Sequence, residues 1–187
     1  MNLDVFYVIG KPGHLTYEFF NRLSLFSEKQ SLLKIPRLFT TNTELLGLDN
    51  IFVIDDRDFQ LRESLGIYCL TWHKGEHWYG ICAEGLQWAH NGYSVVMPGS
   101  LSNLNEAIRA FPGLNVVLLH YLDTQKVFEQ NPILESDSAR LDCVETAHGV
   151  CCPFLLSFMK EEGLENACDL LLEFIQYQQN NLLEKAV

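Results

Sequence analysis

The chain has 187 residues, of which 48% are hydrophobic and 20% charged, which is typical of one globular domain with a sizeable core. Its formal net charge of −11 argues against nucleic acid as a partner and disfavours an anionic membrane surface. The six cysteines lie mostly in apolar runs, and the sequence shows neither a signal peptide nor an apolar stretch of about 18 residues. We therefore expect a soluble, reduced, cytoplasmic protein without membrane association.

Two kinds of periodic pattern alternate along the chain. Runs of β-branched and aromatic residues bounded by turn residues predict strands at 4–9, 35–40, 51–54, 67–72, 77–82, 94–97, 115–120 and 153–159. Apolar residues at helical spacing predict helices at 14–26, 56–64, 83–90, 102–110, 124–129, 138–146 and 164–183. This alternation indicates an α/β fold with a mainly parallel sheet. Residues 51–82 hold three strands and one helix, so we interpret 41–83 as a small antiparallel insertion within a single domain, 1–187.

The first strand runs through a glycine-containing turn into a helix, which is the arrangement that presents backbone N–H groups to a phosphate. The P-loop pattern G-x-x-x-x-G-K-[ST] adds a lysine for the phosphates and a hydroxyl for Mg²⁺. Counted from Gly10, Leu15 stands at the second glycine, Thr16 at the lysine and Tyr17 at the hydroxyl residue. The sequence thus predicts a phosphate-binding scaffold without its charged part. Lys11 is either a substitute for the missing lysine or a solvated loop residue.

Two segments, 70–80 and 86–100, resemble the bacterial ribose 1,5-bisphosphate phosphokinases of phosphonate metabolism, which are relatives of guanylate kinase. The similarity extends from the opening strand to the last helix. It implies a guanylate-kinase-like P-loop kinase fold of three layers, in which the insertion binds substrate and a lid carries arginine. It also implies ATP and Mg²⁺, the only cofactors that the sequence suggests.

The resemblance also implies roles for individual residues. It places Gly10 and Gly13 in the phosphate loop and Thr16 at the position of the loop lysine, and Lys11 lies within the same loop. Those that it places at the substrate are Arg37, Tyr79, Gly80, Gly99, Ser100 and Arg140. The pair Tyr79 and Gly80 matches the Tyr-Gly that touches the substrate phosphate in guanylate kinases. His73 is either a further substrate contact or general base, or a strand-end histidine that bonds its neighbours. The catalytic residues themselves stay unassigned.

Several positions depart from the family pattern. Thr16 replaces the lysine of the family, and Thr41 and Leu101 replace two of its arginines. Alignment with the family puts Glu18 at the Ser/Thr hydroxyl, one residue beyond Tyr17, which the motif count alone puts there. The lid stretch 123–137 contains Lys126 but no arginine. Phosphoryl transfer depends on positioning and on neutralising phosphate charge, and one such cation is worth roughly 10² to 10⁵ in rate. The departures therefore predict an impaired kinase.

Other polar and aromatic groups have ordinary structural explanations. Cysteine and histidine at Cys143, His148, Cys151 and Cys152 have a poor spacing for zinc, so no metal site is expected. The acidic residues Asp55 and Asp56 are expected at the start of a helix, so their presence does not require that they bind Mg²⁺. The tryptophans and Tyr79 form either core or a wall against which a ribose or base stacks.

Three functions remain open. The first is a kinase-derived protein that binds a phosphorylated ribose or nucleotide with weak or no turnover. The second is a working ATP-dependent kinase of ribose 1,5-bisphosphate or a nucleoside monophosphate. The third is a scaffold on a kinase fold that binds a protein partner. The expected partner is accordingly a phosphorylated small molecule or a protein.

Overall fold

The computed structural model describes residues 4–10, 14–27, 33–122, 154–159 and 162–184. Its strands are β1 (Val5–Gly10), β2 (Leu33–Lys34), β3 (Leu38–Thr40), β4 (Ile51–Val53), β5 (Tyr68–Lys74), β6 (His77–Cys82), β7 (Ser94–Gly99), β8 (Asn115–Leu122) and β9 (Phe154–Met159). Its helices are α1 (His14–Ser27), α2 (Asp56–Ser64), α3 (Glu84–His90), α4 (Leu104–Ala110) and α5 (Glu162–Glu184). None of these helices is long and apolar enough to cross a lipid bilayer.

The larger sheet is parallel throughout, with the strand order β2-β7-β1-β8-β9. Its central strand β1 is almost entirely apolar and buried on both faces, as expected for a parallel strand covered by helices. Phe6 and Val8 face α1 and α5, whereas Val5 and Tyr7 face α3 and α4. The predicted α/β architecture with a mainly parallel sheet and flanking helices is confirmed.

The smaller sheet has the order β4-β3-β6-β5 and is mixed rather than antiparallel. Strand β3 pairs antiparallel with β6 but parallel with β4, because the connection 41–50 carries the chain back before β4 begins. Helix α2 covers one face, where the Phe59 and Tyr68 rings stack at 4.8 Å. This sheet already begins at Leu38, ahead of the predicted limit at residue 41.

The predicted strand 35–40 is divided between the two sheets. Residues 33 and 34 pair with Ser94 and Val95 in the larger sheet, and Leu38–Thr40 belongs to the smaller one. Pro36 lies in the crossing between them, where it has no ladder hydrogen bond to donate.

The predicted helix 56–64 is confirmed, and the Asp55 carboxylate caps it by accepting a hydrogen bond from the Asp58 N–H at 2.7 Å. The predicted helices 124–129 and 138–146 lie outside the described residues.

Candidate functional site

A cavity of about 820 Å³ opens between the two sheets, where β1 and β7 end. The carboxyl ends of parallel strands are the usual place for a ligand in an α/β fold. The larger sheet and α1 contribute Gly10, Thr16, Tyr17, Pro98, Gly99 and Ser100 to the lining. The smaller sheet and its connections contribute Leu38, Asn42, Glu44, Leu45, Leu46, Leu48, Trp72, Lys74, Gly75, His77 and Tyr79.

The start of α1 brings an uncharged surface to this cavity. The Thr16 hydroxyl packs so closely on Gly10 that a Cβ at residue 10 would overlap it. Tyr17 also lines the cavity, and burial, reinforced by the nearby Tyr79, raises the pKa of its hydroxyl. Glu18 does not line the cavity, and its carboxylate lies 3.5 Å from Arg22 Nη2. Thr16 and Tyr17, the two α1 residues that line the cavity at positions compared with the P-loop, are therefore both uncharged.

The end of β7 forms a rigid floor. Tyr7 is fully buried below it, and its hydroxyl accepts a hydrogen bond from the Ser100 N–H at 2.8 Å and donates to the Ser100 carbonyl at 3.1 Å. Burial raises the pKa of Tyr7 to about 12. A Cβ at Gly99 would overlap the Tyr7 ring, so glycine is required there. Because the Ser100 N–H already donates to Tyr7, this backbone donor is not available to a ligand.

The smaller sheet supplies an aromatic wall. The rings of Trp72 and Tyr79 are cross-strand partners and stack at 5.4 Å with an angle of 7° between their planes. The Tyr79 hydroxyl accepts a hydrogen bond from Asn42 Nδ2 at 3.3 Å, and the Asn42 Oδ1 accepts one from the Glu44 N–H at 3.0 Å. The Tyr79 O–H can therefore donate to a ligand in the cavity.

Lys74 and His77, which the sequence analysis did not place at the site, also line the cavity. They are partners across the β5–β6 hairpin. Strand residues alternate between two faces, so Lys74 shares a face with Trp72, and His77 shares one with Tyr79. That alternation is readable in the sequence and would have identified both. Asn42 was missed as well, because it lies in an irregular connection without a pattern.

Three residues assigned to the substrate lie elsewhere. Arg37 faces away from the lining and holds Glu84 through its Nε at 2.9 Å and its Nη2 at 2.8 Å, a pairing that raises its pKa. His73 is on the opposite face of β5, where its ring lies 4.6 Å from that of Trp78. Gly80 faces the Tyr68 ring, which leaves no room for a Cβ. The ligand roles of these three stay predictions.

Several other predictions fall outside the described residues. These are the positions Lys11, Gly13 and Arg140, the lid 123–137, and the group Cys143, His148, Cys151 and Cys152. Within the described part of the chain, no group of three or more His, Cys, Asp or Glu is arranged to hold a metal. Burial raises the pKa of the Cys69 and Cys168 thiols to about 12, so both are neutral near pH 7.

Comparison with known proteins gives relatives along the whole chain. The ribose 1,5-bisphosphate phosphokinase PhnN of Psychromonas ingrahamii is 28% identical over 188 residues, covering 96% of this chain and 93% of that protein. The PhnN of Thiobacillus denitrificans is 31% identical over 130 residues, covering 62% of this chain and 61% of that protein. No protein-family profile matches the chain.

The fold has a counterpart among solved structures. The crystal structure of guanylate kinase from Anaplasma phagocytophilum superimposes with a TM-score of 0.65 and 11% sequence identity, covering 95% of this chain and 87% of that one. The chain therefore has a guanylate-kinase-like fold. Its resemblance to ribose 1,5-bisphosphate phosphokinases, on which the kinase interpretation rests, is confirmed.

Proposed function

We propose that this relative of ribose 1,5-bisphosphate phosphokinases binds a phosphorylated ribose or a nucleotide in the cavity between its sheets, with weak or no kinase activity. One observation carries the proposal. The cavity has an aromatic wall and the Tyr79 hydroxyl on the side of the smaller sheet, whereas the α1 side presents the neutral residues Thr16 and Tyr17. One side of the cavity thus supports binding, whereas the residues of the other side that the structure describes supply no positive charge to a phosphate.

ATP and Mg²⁺ fit the described residues poorly. A nucleoside triphosphate needs cations at its β- and γ-phosphates, and Mg²⁺ needs oxygen ligands. Thr16 supplies no charge and is packed on Gly10, and Tyr17 at the next position is bulky and uncharged. We infer that ATP binds weakly here and that no phosphoryl-transfer step runs through this end of the cavity.

The enzyme names of the relatives favour a second candidate, an active kinase of ribose 1,5-bisphosphate or a nucleoside monophosphate. This candidate requires a cation to reach the phosphate loop from outside the described residues, and Lys11 is the nearest in sequence. Replacing Lys11 by alanine therefore separates the two candidates if turnover is found.

The test combines calorimetric titration with a coupled kinase assay on the purified full chain. Ribose 1,5-bisphosphate, GMP and ATP with Mg²⁺ are titrated separately. We expect a sugar phosphate or GMP to bind without measurable turnover. Tyr79→Phe removes one neutral hydrogen bond to the ligand and should weaken binding about two- to tenfold. The matched control Tyr177→Phe changes a tyrosine that is 63% exposed and should have no effect.

Two outcomes would overturn the proposal. Robust turnover, lost in Lys11→Ala, would establish the active kinase. Failure of every phosphorylated ligand to bind would leave the interpretation of the fold as a protein-binding scaffold.

A further inference from the structure

Large apolar side chains are exposed to solvent at one side of the smaller sheet. Three of them, Phe52, Leu61 and Leu65, are 44%, 55% and 67% exposed. Phe52 lies on β4, and the two leucines lie four residues apart at the end of α2. The rings of Phe52 and Phe39 stack at 5.2 Å, so Phe52 lies on the face of the sheet that α2 covers.

One flank of α2 lies beside β4. The Arg62 guanidinium lies over the Phe39 ring, 5.0 Å from its centroid, so Arg62 and Phe52 contact the same ring. Residues three or four apart share one side of a helix, which places Asp58 and the two exposed leucines on the flank of Arg62. Phe52 and this flank therefore form one surface, which we call the β4 patch. Exposed apolar groups that lie side by side are typical of an interaction surface.

Strand β4 is at an edge of the smaller sheet, and among the described strands it pairs with β3 alone. The Ile54 N–H donates to the Thr40 carbonyl of β3 at 2.9 Å. Alternate residues of a strand bond to the same neighbour, so the backbone groups of Ile51 and Val53 face the outer edge. The Ile51 N–H donates back to the Leu48 carbonyl at 3.3 Å. The edge thus presents the Ile51 carbonyl as an acceptor and the Val53 N–H as a donor, neither with a partner in the described part of the chain.

This edge lacks the usual protection against pairing. Edge strands of natural proteins are commonly blunted by charges, prolines or bulges. Strand β5, at the opposite edge, has a register shift between Tyr68 and Leu70 and ends on the exposed Lys74. Strand β4 pairs regularly with β3 and consists of isoleucine, phenylalanine and valine. An uncharged apolar edge beside exposed leucines favours pairing with another strand.

We propose that two copies of this chain associate through β4, antiparallel about a twofold axis at Phe52, so that their smaller sheets form one continuous sheet with four strands from each copy. In this register, the Val53 N–H of each copy donates to the Ile51 carbonyl of the other. The two Phe52 side chains form a directly opposed aromatic pair on the axis. This inference goes beyond the proposed function and requires no ligand in the cavity.

The charges of the β4 patch fit a second copy of the chain. The axis is perpendicular to the continuous sheet, so both α2 helices lie on the same face of it and run in opposite directions. Asp58 of each copy therefore faces Arg62 of the other, and the paired strands bring no like charges together. The net charge of −11 on each copy opposes association at long range, so salt should tighten the dimer.

Sedimentation velocity of the purified full chain tests the proposal at concentrations from about 1 µM to about 300 µM, where small interfaces dissociate. We expect a monomer–dimer equilibrium whose Kd falls when salt is raised from about 0.05 M to about 0.5 M. Phe52→Lys and Phe52→Glu each replace the aromatic pair by like charges and should weaken the dimer at least about tenfold. Val53→Pro removes the outward N–H without breaking a bond to β3 and should weaken it similarly. The control Leu170→Lys changes a leucine of α5 that is 49% exposed, and its Kd should match that of the unmodified chain.

A mixture of Phe52→Lys and Phe52→Glu tests the position of the axis. The mixed dimer opposes a lysine to a glutamate and should be at least about tenfold tighter than the dimer of either variant alone. Circular dichroism checks the fold of each variant. Should a change at Phe52 unfold the chain, Leu65→Lys alters a more exposed residue of the β4 patch and should weaken the dimer about threefold or more.

A chain that stays monomeric over the whole concentration range would overturn the proposal. A dimer that every variant of the β4 patch leaves intact would overturn it as well, because that dimer would form through another surface. Weakening by both Phe52 variants without recovery in their mixture would exclude a twofold axis at Phe52.

Discussion

Removing the Arg37 side chain should reduce stability and leave ligand affinity unchanged. Its guanidinium donates from Nε and Nη2 to the two carboxylate oxygens of Glu84, and the Arg37 backbone N–H donates to the same carboxylate at 2.9 Å. Glu84 lies in the first turn of α3, so the pair ties the crossing between the sheets to that helix. The proposed perturbation is a double-mutant cycle of Arg37→Met and Glu84→Gln.

The expected coupling energy follows from the exposure of the two groups. Hydrogen bonds to charged groups contribute about 1.5–3 kcal/mol, but fully exposed ion pairs contribute only about 0.2–1 kcal/mol. The Arg37 side chain is 47% exposed and that of Glu84 is 19% exposed. We therefore expect about 1 kcal/mol, which corresponds to roughly 2–4 °C in Tm for a chain of this length.

Urea denaturation of the four proteins measures the coupling. The cycle cancels the separate loss in Glu84→Gln of a favourable charge at a helix N-terminus, about 0.3–1 kcal/mol. Titration of ribose 1,5-bisphosphate into Arg37→Met should give an affinity within twofold of the unmodified chain. The exposed pair at Arg109 and Glu106 provides the control, with a coupling below about 0.5 kcal/mol.

A coupling below about 0.3 kcal/mol, together with a more than tenfold loss of affinity in Arg37→Met, would refute this reasoning. Arg37 would then be the substrate contact that the family resemblance implies.

Three further changes have definite expected outcomes. Gly99→Ala should lower the free energy of unfolding by about 1–3 kcal/mol in urea, because the new methyl overlaps the buried Tyr7 ring. Burial raises the pKa values of Tyr7, Cys69 and Cys168 to about 12, above the pKa values of these groups in an unfolded chain, so the unfolded chain loses these protons first. Their contribution to stability is complete below about pH 9 and is lost as the pH rises towards 12, which Tm measured against pH should show. Glu44→Gln removes a negative charge from the cavity lining and should tighten sugar-phosphate binding about two- to threefold in calorimetry at low salt.

Each of these expectations has its own check. Gly99→Ala should cost much less stability when Tyr7→Leu is also present, and an equal cost in both backgrounds would exclude ring overlap as the cause. Tyr7→Phe should flatten the alkaline decline in Tm, so an unchanged profile would contradict the assignment to Tyr7. Glu106→Gln lies outside the cavity lining, and a gain in affinity there as large as in Glu44→Gln would point to net charge alone.

The sequence predicts the elements best where local chemistry and packing agree. Helix α2 has the predicted bounds because Asp55 caps it and turn residues follow it. Strand β2 was not separated from β3, because two residues are too short for a periodic pattern and belong to the larger sheet only through their pairing with β7. The parallel pairing of β3 with β4 depends likewise on the path of the connection 41–50, which no local sequence pattern predicts.

Side-chain direction explains the mixed result at the site. The sequence placed Tyr79, Gly99 and Ser100 at the ligand, and the structure brings all three to the cavity. The neighbours His73 and Gly80 point to the other face of the smaller sheet, because adjacent strand residues alternate. A match to a sequence motif therefore shows where these residues stand in the chain, but it does not show on which face of the smaller sheet they lie.

The crossing between the sheets has a consequence for how the molecule can be altered. The Cys82 N–H donates to the Arg37 carbonyl at 2.9 Å, so the backbone enters and leaves the smaller sheet at adjacent points. Residues 38–82 thus form an insertion whose two ends meet, although Leu70 and Ile81 share one apolar cluster with Tyr7 of the larger sheet. We expect an exchange of this insertion with that of a homologue to fold only when the apolar residues on both sides of that cluster are matched in size.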